Sequence, residues 1–160
     1  MPAYDPAAIA GGLRAAVAEA LALFASMDED LSRVRPRPDA WCAREIVGHL
    51  IDSACNNHRR FVIGQSPGLP PFARFDAYEQ DLWVSRQHYA DESWTDMVTL
   101  WAAYNRHLMH LMRHTTPAGA ANGAIAPNGS EVVSVGFLMH DYVRHLRHHV
   151  DQVRSVAAGL

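Results

Sequence analysis

Two stretches that no helix can run through divide this chain, and they fix what it can fold into. Gly64-Gln65-Ser66-Pro67-Gly68-Leu69-Pro70-Pro71-Phe72 is one, and the Pro-, Gly- and Asn-Gly-rich segment from Thr116 to Glu131 is the other. Proline lacks the amide hydrogen a helix needs and clashes with the preceding turn, while Asn-Gly favours tight turns. A third break lies in the Arg35-Pro36-Arg37-Pro38-Asp39 run within residues 28–40, which reads as a connection. What remains is helix-length and patterned. Ala7 to Met27 repeats Leu13, Val17, Leu21 and Phe24, and Trp94 to Thr115 repeats Trp94, Met97, Trp101, Tyr104, Leu108 and Leu111. The second helix runs from near Trp41 to about Ile63, with Asp39 as its expected cap, and Ser93 or Asp91 is expected to cap the third. The fourth spans Ser134 to Ala158. Four amphipathic helices of roughly 20 to 25 residues with breaker-rich connections imply an all-α four-helix bundle. The segment 116–131 is expected to form a hairpin or loose loop, and the aromatic residues Phe72, Phe75, Tyr78 and Trp83 should make the 67–83 connection pack onto the bundle.

At 160 residues the chain fits one domain, residues 1–160, with one core. Its net charge of -3 and its dispersed arginines argue against nucleic acid, which requires a basic stripe. No apolar run approaching a membrane span is expected, and no secretory signal is visible, so the expected location is cytoplasmic. Cys42 and Cys55 are too few for a disulfide framework.

Histidine is the unusual residue, at ten copies. His145 and His149 lie four apart in the fourth helix, one turn above each other, which is metal-ligand spacing. Two ligands seldom make a tight site, so a third donor is expected from elsewhere. His107, His110 and His114 share a face of the third helix, but opposite Trp101, and read as a solvated ridge. His49 falls outside the apolar arc of the second helix, among Asp52, Ser53, Asn56 and Arg60. Periodicity leaves two readings of it: a surface residue, or part of a polar stripe turned inward to line a cavity.

The segment Trp41-Cys42-Ala43-Arg44-Glu45-Ile46-Val47-Gly48-His49-Leu50-Ile51-Asp52 resembles the Trp-x-x-x-Glu-Ile-x-x-His-Leu-x-Asp segment of the DinB-like superfamily. The fourth helix is similar to that family's closing helix, a His-x-x-x-His pair followed by glutamine, here His145, His149 and Gln152. Leu69-Pro70-Pro71-Phe72-Ala73-Arg74-Phe75-Asp76 is similar to the family's middle loop. The resemblance implies a DinB-like four-helix bundle in which His49, His145 and His149 bind one divalent metal. It further implies a metal-dependent enzyme acting on a small molecule, either a hydrolase or a transferase using a low-molecular-weight thiol, and frequently a homodimer. A non-catalytic metal-binding or structural bundle is the alternative.

Three neutral imidazoles suit zinc, nickel or iron and leave a coordination position open, as in catalytic sites. Asp141 and Gln152 are placed to orient the ligand rings through their second nitrogens. Asp52, Asn56, Arg59 and Arg60 are the expected supporting or substrate-binding groups. Cys42, two turns from His49, is not expected to act as a nucleophile.

Overall fold

The computed structural model describes residues 3–66, 73–125 and 131–159. Its bundle helices are α1 (Pro6–Ala25), α2 (Ala43–Gly64), α4 (Trp94–His114) and α6 (Val135–Ala157), with two short helices between them, α3 (Gln80–Gln87) and α5 (Pro117–Ala121). Most of the described residues are helical. Around the bundle α1 packs against α4 and α6, and α2 packs against the same two. The sequence-adjacent helices α1 and α2 therefore stand across the bundle from each other, and α2 meets α6 directly.

Local chemistry sets the helix ends. Ser93 Oγ accepts from Asp96 N at 3.3 Å and Ser134 Oγ accepts from Phe137 N at 3.0 Å, so both helices start on a hydroxyl cap. The start of α2 corrects the expectation for Asp39. The cap residue is Cys42, whose amide donates to Glu45 Oε2 at 2.9 Å, so the stabilising carboxylate comes from inside the first turn rather than from before it.

Trp94, Met97, Trp101 and Leu108 of α4 join Leu138, Met139, Tyr142, Leu146, Val150 and Val153 of α6 in one buried apolar cluster with α1 and α2. Helix α1 departs from expectation, being long and apolar enough to cross a membrane by length and composition. Its Ala10, Leu13, Val17, Ala20 and Phe24 are buried in the bundle core.

The connections hold more structure than the sequence suggests. α3 lies within what reads as loop, because with only Val84 buried it carries almost no apolar period. The 116–131 segment contributes α5 and strand β2 (Gly123–Ile125), which pairs antiparallel with β3 (Val132–Ser134) and parallel with β1 (Ala73–Arg74). These strands are too short for an alternating pattern to show. The hairpin tip and the Leu69-to-Phe72 part of the middle loop lie outside the described residues. Of the loop aromatics that are described, Phe75 is buried, while Tyr78 and Trp83 pack together at 4.9 Å between ring centroids.

A buried cation knots the first connection to the bundle. Arg44 is fully buried, donates to Ser32 Oγ at 2.8 Å and the Glu29 carbonyl at 2.9 Å, and also reaches the Glu29 carboxylate and the Glu92 carbonyl. Glu29 Oε1 in turn accepts from the Trp94 amide at 3.0 Å. Replacing Arg44 by leucine strands these acceptors and should cost at least about 2 kcal/mol in urea denaturation. Arg37→Ala, which removes an exposed pair with Asp39, should change stability by less than about 0.5 kcal/mol.

Candidate metal centre

Helix α2 is covered nearly all round. Its apolar side meets α4 and α6, and its polar side meets α3 and the turn Tyr89–Asp91. His49, Asp52, Ser53 and Asn57 are consequently buried, and the two readings of His49 resolve to the inward one. His49 is fully buried beside Trp41, with ring centroids 5.2 Å apart, and beneath Tyr78 at 6.3 Å.

Across the α2–α6 seam His49 meets the α6 pair. His49 Nε2 lies 3.3 Å from His145 Nε2, and His149 Nε2 lies 3.1 Å from the same atom. The ligand atoms of all three fall within 4.8 Å of one another, and among the described residues no Cys, Asp or Glu joins them. Two nitrogens at about 2.0–2.1 Å from a tetrahedral ion would be about 3.3–3.4 Å apart, and at a right angle about 3.0 Å. The observed separations lie in that interval.

Proton bookkeeping sharpens this. His149 Nδ1 donates to Gln152 Oε1 at 2.7 Å, and the other end of that amide faces His148 Nε2 at 3.4 Å, so the bare lone pair of His149 is at Nε2. His145 Nε2 can donate to one neighbour but not to both, so no set of neutral tautomers satisfies every nitrogen of the cluster. One cation satisfies all three. Protons fill that role poorly, because burial first, and then the neighbouring imidazoles, push His49 down to about 3 and His145 down to about 4, and burial lowers His149 as well.

Of the expected supporting groups, Gln152 alone contacts a ligand ring directly. Asp141 instead accepts from Arg144 Nε at 3.0 Å and Nη2 at 2.6 Å, and it is Ser53 Oγ that faces His145 Nδ1, at 3.4 Å. The i−4 spacing of Asp141 matches His145, but an exposed arginine one turn on competes for the carboxylate. Asn56 turns its amide back to the Asp52 carbonyl at 2.9 Å, and the next residue, Asn57, lines the cleft. Arg59 is exposed, whereas Arg60 lines the cleft. Ser53, Asn57 and Tyr78 were missed by sequence reasoning, although the i, i+4, i+8 spacing from His49 could have found the first two. His107, His110 and His114 are exposed, as expected, and burial raises the Cys42 thiol, which makes it a poor nucleophile.

Asp52 Oδ1 accepts from Tyr89 Oη and Gln87 Nε2, each at 2.7 Å, and burial raises its carboxyl against the effect of those bonds. Its Oδ2 and His49 Nδ1 are buried without partners among the described residues, an acceptor and a donor one helical turn apart. Tyr89 reaches Asp52 only because residue 48 is glycine: a Cβ there would lie 2.1 Å from the Tyr89 ring. A cleft of about 220 Å³ opens beside His145, lined by Ser53, Asn57, Arg60, Tyr78 and Phe137 among others.

With this geometry in place, the comparisons with known proteins are decisive for family. A DinB superfamily profile matches residues 13–153. The chain belongs to the DinB superfamily. It is 22% identical over 124 residues to YfiT of Bacillus subtilis, described as a probable metal-dependent hydrolase, a match covering 76% of this chain and 66% of YfiT. The solved YfiT structure, of unusual four-helix bundle topology, superposes with a TM-score of 0.83 at 18% identity, covering 96% of this chain and 86% of that one. A mycothiol-dependent maleylpyruvate isomerase superposes with a TM-score of 0.75 at 10% identity, covering 96% of this chain and 61% of its own.

Alanine is favoured over glycine in a helix by about 1 kcal/mol, yet Gly48→Ala should destabilise the protein by about 1–3 kcal/mol, because the methyl group displaces Tyr89. Thermal or urea denaturation reads the sign directly; a stabilised variant would show that the Tyr89 approach is not constrained.

Proposed function

We propose that this chain is a metal-dependent enzyme acting on a small molecule, with His49, His145 and His149 holding one divalent ion through Nε2. The observation that carries the proposal is the meeting of three desolvated imidazole nitrogens at metal-ligand separations, without protons enough to satisfy them. Zinc, nickel and iron all suit such a donor set. The ion would supply a Lewis-acid centre with a position left for substrate, thiol or water. The chain's own residues do the rest: Gln152 holds the His149 ring in its tautomer, Ser53 faces His145, and Trp41 and Tyr78 keep bulk water from His49.

Hydrolysis is the first reading, supported by the likeness to YfiT; transfer to or from a low-molecular-weight thiol is the second, supported by the fold shared with a mycothiol-dependent enzyme. The cleft beside His145 and the three-residue donor set, with no fourth among the described residues, support turnover over a purely structural ion. The same proposal places the protein in the cytoplasm, away from nucleic acid and membrane. It also pairs two copies, for which the outward Ala15, Ala18, Ala22 and Ala25 of α1 offer an uncharged face.

Elemental analysis of the untagged protein should find one ion per chain, lost on His49→Ala, His145→Ala or His149→Ala and kept on His110→Ala. Equal loss from His110→Ala would sink the assignment. Gln152→Ala should weaken metal affinity by about 10–100-fold. A hydrolase turns over activated esters or amides without thiol, whereas a transferase requires the thiol.

The acid response follows from the imidazoles. Their folded values lie below the unfolded value of 6.5, so the stability they contribute is complete above that pH and is lost as pH falls toward about 3 to 4. The metal-free protein should therefore lose stability steadily across that window, as followed by circular dichroism, and His49→Gln should flatten the slope.

A further inference from the structure

Among the described residues, the cleft beside His145 contains one guanidinium, that of Arg60, with no carboxylate paired to it. Arg60 lies on the same face of α2 as His49, Ser53 and Asn57, eleven residues from His49, which at 1.5 Å per residue is about 16 Å along the helix. Its guanidinium is partly buried, and that burial lowers its pKa. Nη1 is steadied by Asn57 Oδ1 at 3.3 Å. Among the described residues no carboxylate forms an ion pair with it: Asp141, which lines the same cleft, is taken by Arg144. The undescribed stretches 67–72 and 126–130 contain no acidic residue. A partly desolvated guanidinium without a counter-ion is costly, and its planar fork matches a carboxylate in two parallel hydrogen bonds. Between Arg60 and His145 the wall is mixed, with Phe137 and Leu138 on α6 opposite Tyr78.

We infer that the cleft takes an elongated monocarboxylate, its carboxylate on Arg60, its apolar body against Phe137 and Leu138, and its reacting end at the histidine cluster. The inference deepens the proposed function of the same cleft by naming a substrate class. A single charge is favoured over phosphate because, among the described residues, Arg60 is the one cationic side chain on the cleft wall apart from the His145 imidazole, which burial holds neutral, and the Asp141 carboxylate stands on the same wall. Arg60 is a specificity residue here, remote from the reacting atoms.

The test uses hexanoate and hexanol as matched probes, with calorimetric titration into both metal-free and metal-loaded protein. In wild type hexanoate should bind about tenfold or more tightly than hexanol, with or without metal. Arg60→Gln should bring that ratio to about one with metal content unchanged, and Arg60→Lys should restore part of it. Mercaptohexanoate should bind more tightly than hexanoate only in the metal-loaded protein. Equal binding of acid and alcohol, no binding of either, or a preference that survives Arg60→Gln would overturn the inference, and stronger competition by inorganic phosphate than by hexanoate would overturn its carboxylate form. Failure of the metal assignment reads differently: no ion is retained and the thiol adds nothing, while the Arg60-dependent preference stands.

Discussion

The seam between α2 and α6 is the contact on which the rest of this structure depends. Most bundle helices bury one stripe and leave the other in water. Here α2 is packed on its polar side as well, by α3 and the Tyr89 turn, so most of the polar groups buried there turn to partners inside the protein. Asp52 takes Tyr89 and Gln87, Asn57 takes the Ser53 carbonyl at 2.9 Å, and His49 turns to the imidazoles of α6. Buried polarity and candidate chemistry are thus two descriptions of one helix face.

The same packing sets the electrostatic character of the two ends of the cleft. At one end burial lowers all three imidazoles, and neighbouring rings lower His49 and His145 further, which disfavours added protons. At the other end Arg60 keeps a permanent charge, and Tyr78 lies between the two, over His49 and beside the guanidinium. One face of α2 therefore carries a neutral imidazole and a guanidinium about three turns apart.

How much of this was legible in the sequence depended on how many sides of each helix are covered. α6 has one wet face and buries Leu146, Val150 and His149 at helical spacing, so the His145–His149 pair was legible from spacing alone. The first half of α2, residues 43–54, has none, so an amphipathic reading could not decide for His49, and only the motif around Trp41 to Asp52 pointed to it. α3 was invisible because its residues are mostly exposed on every side. The supporting groups were the hardest to read: Asp141 and Asn56 had suitable spacing, but Arg144 and the helix's own carbonyl hold them, while Ser53 and Asn57 occupy the inward positions. Competition among polar partners is a property of assembled space, and sequence separation does not encode it.

The placement of α1 and α2 across the bundle has a kinetic consequence. His49 and His145 are separated by 96 positions, and neither the α1–α2 nor the α4–α6 connection brings them together. The loop that must close before these rings meet is long, so the cluster belongs to the high-contact-order part of the fold. In small zinc modules the ion nucleates the fold, because its ligands are close in sequence. With the proposed ligands the complete donor set exists only once α2 and α6 have met, and before that only the His145–His149 pair is in place. Under the proposed assignment, retention of the ion therefore requires that α2 and α6 have docked.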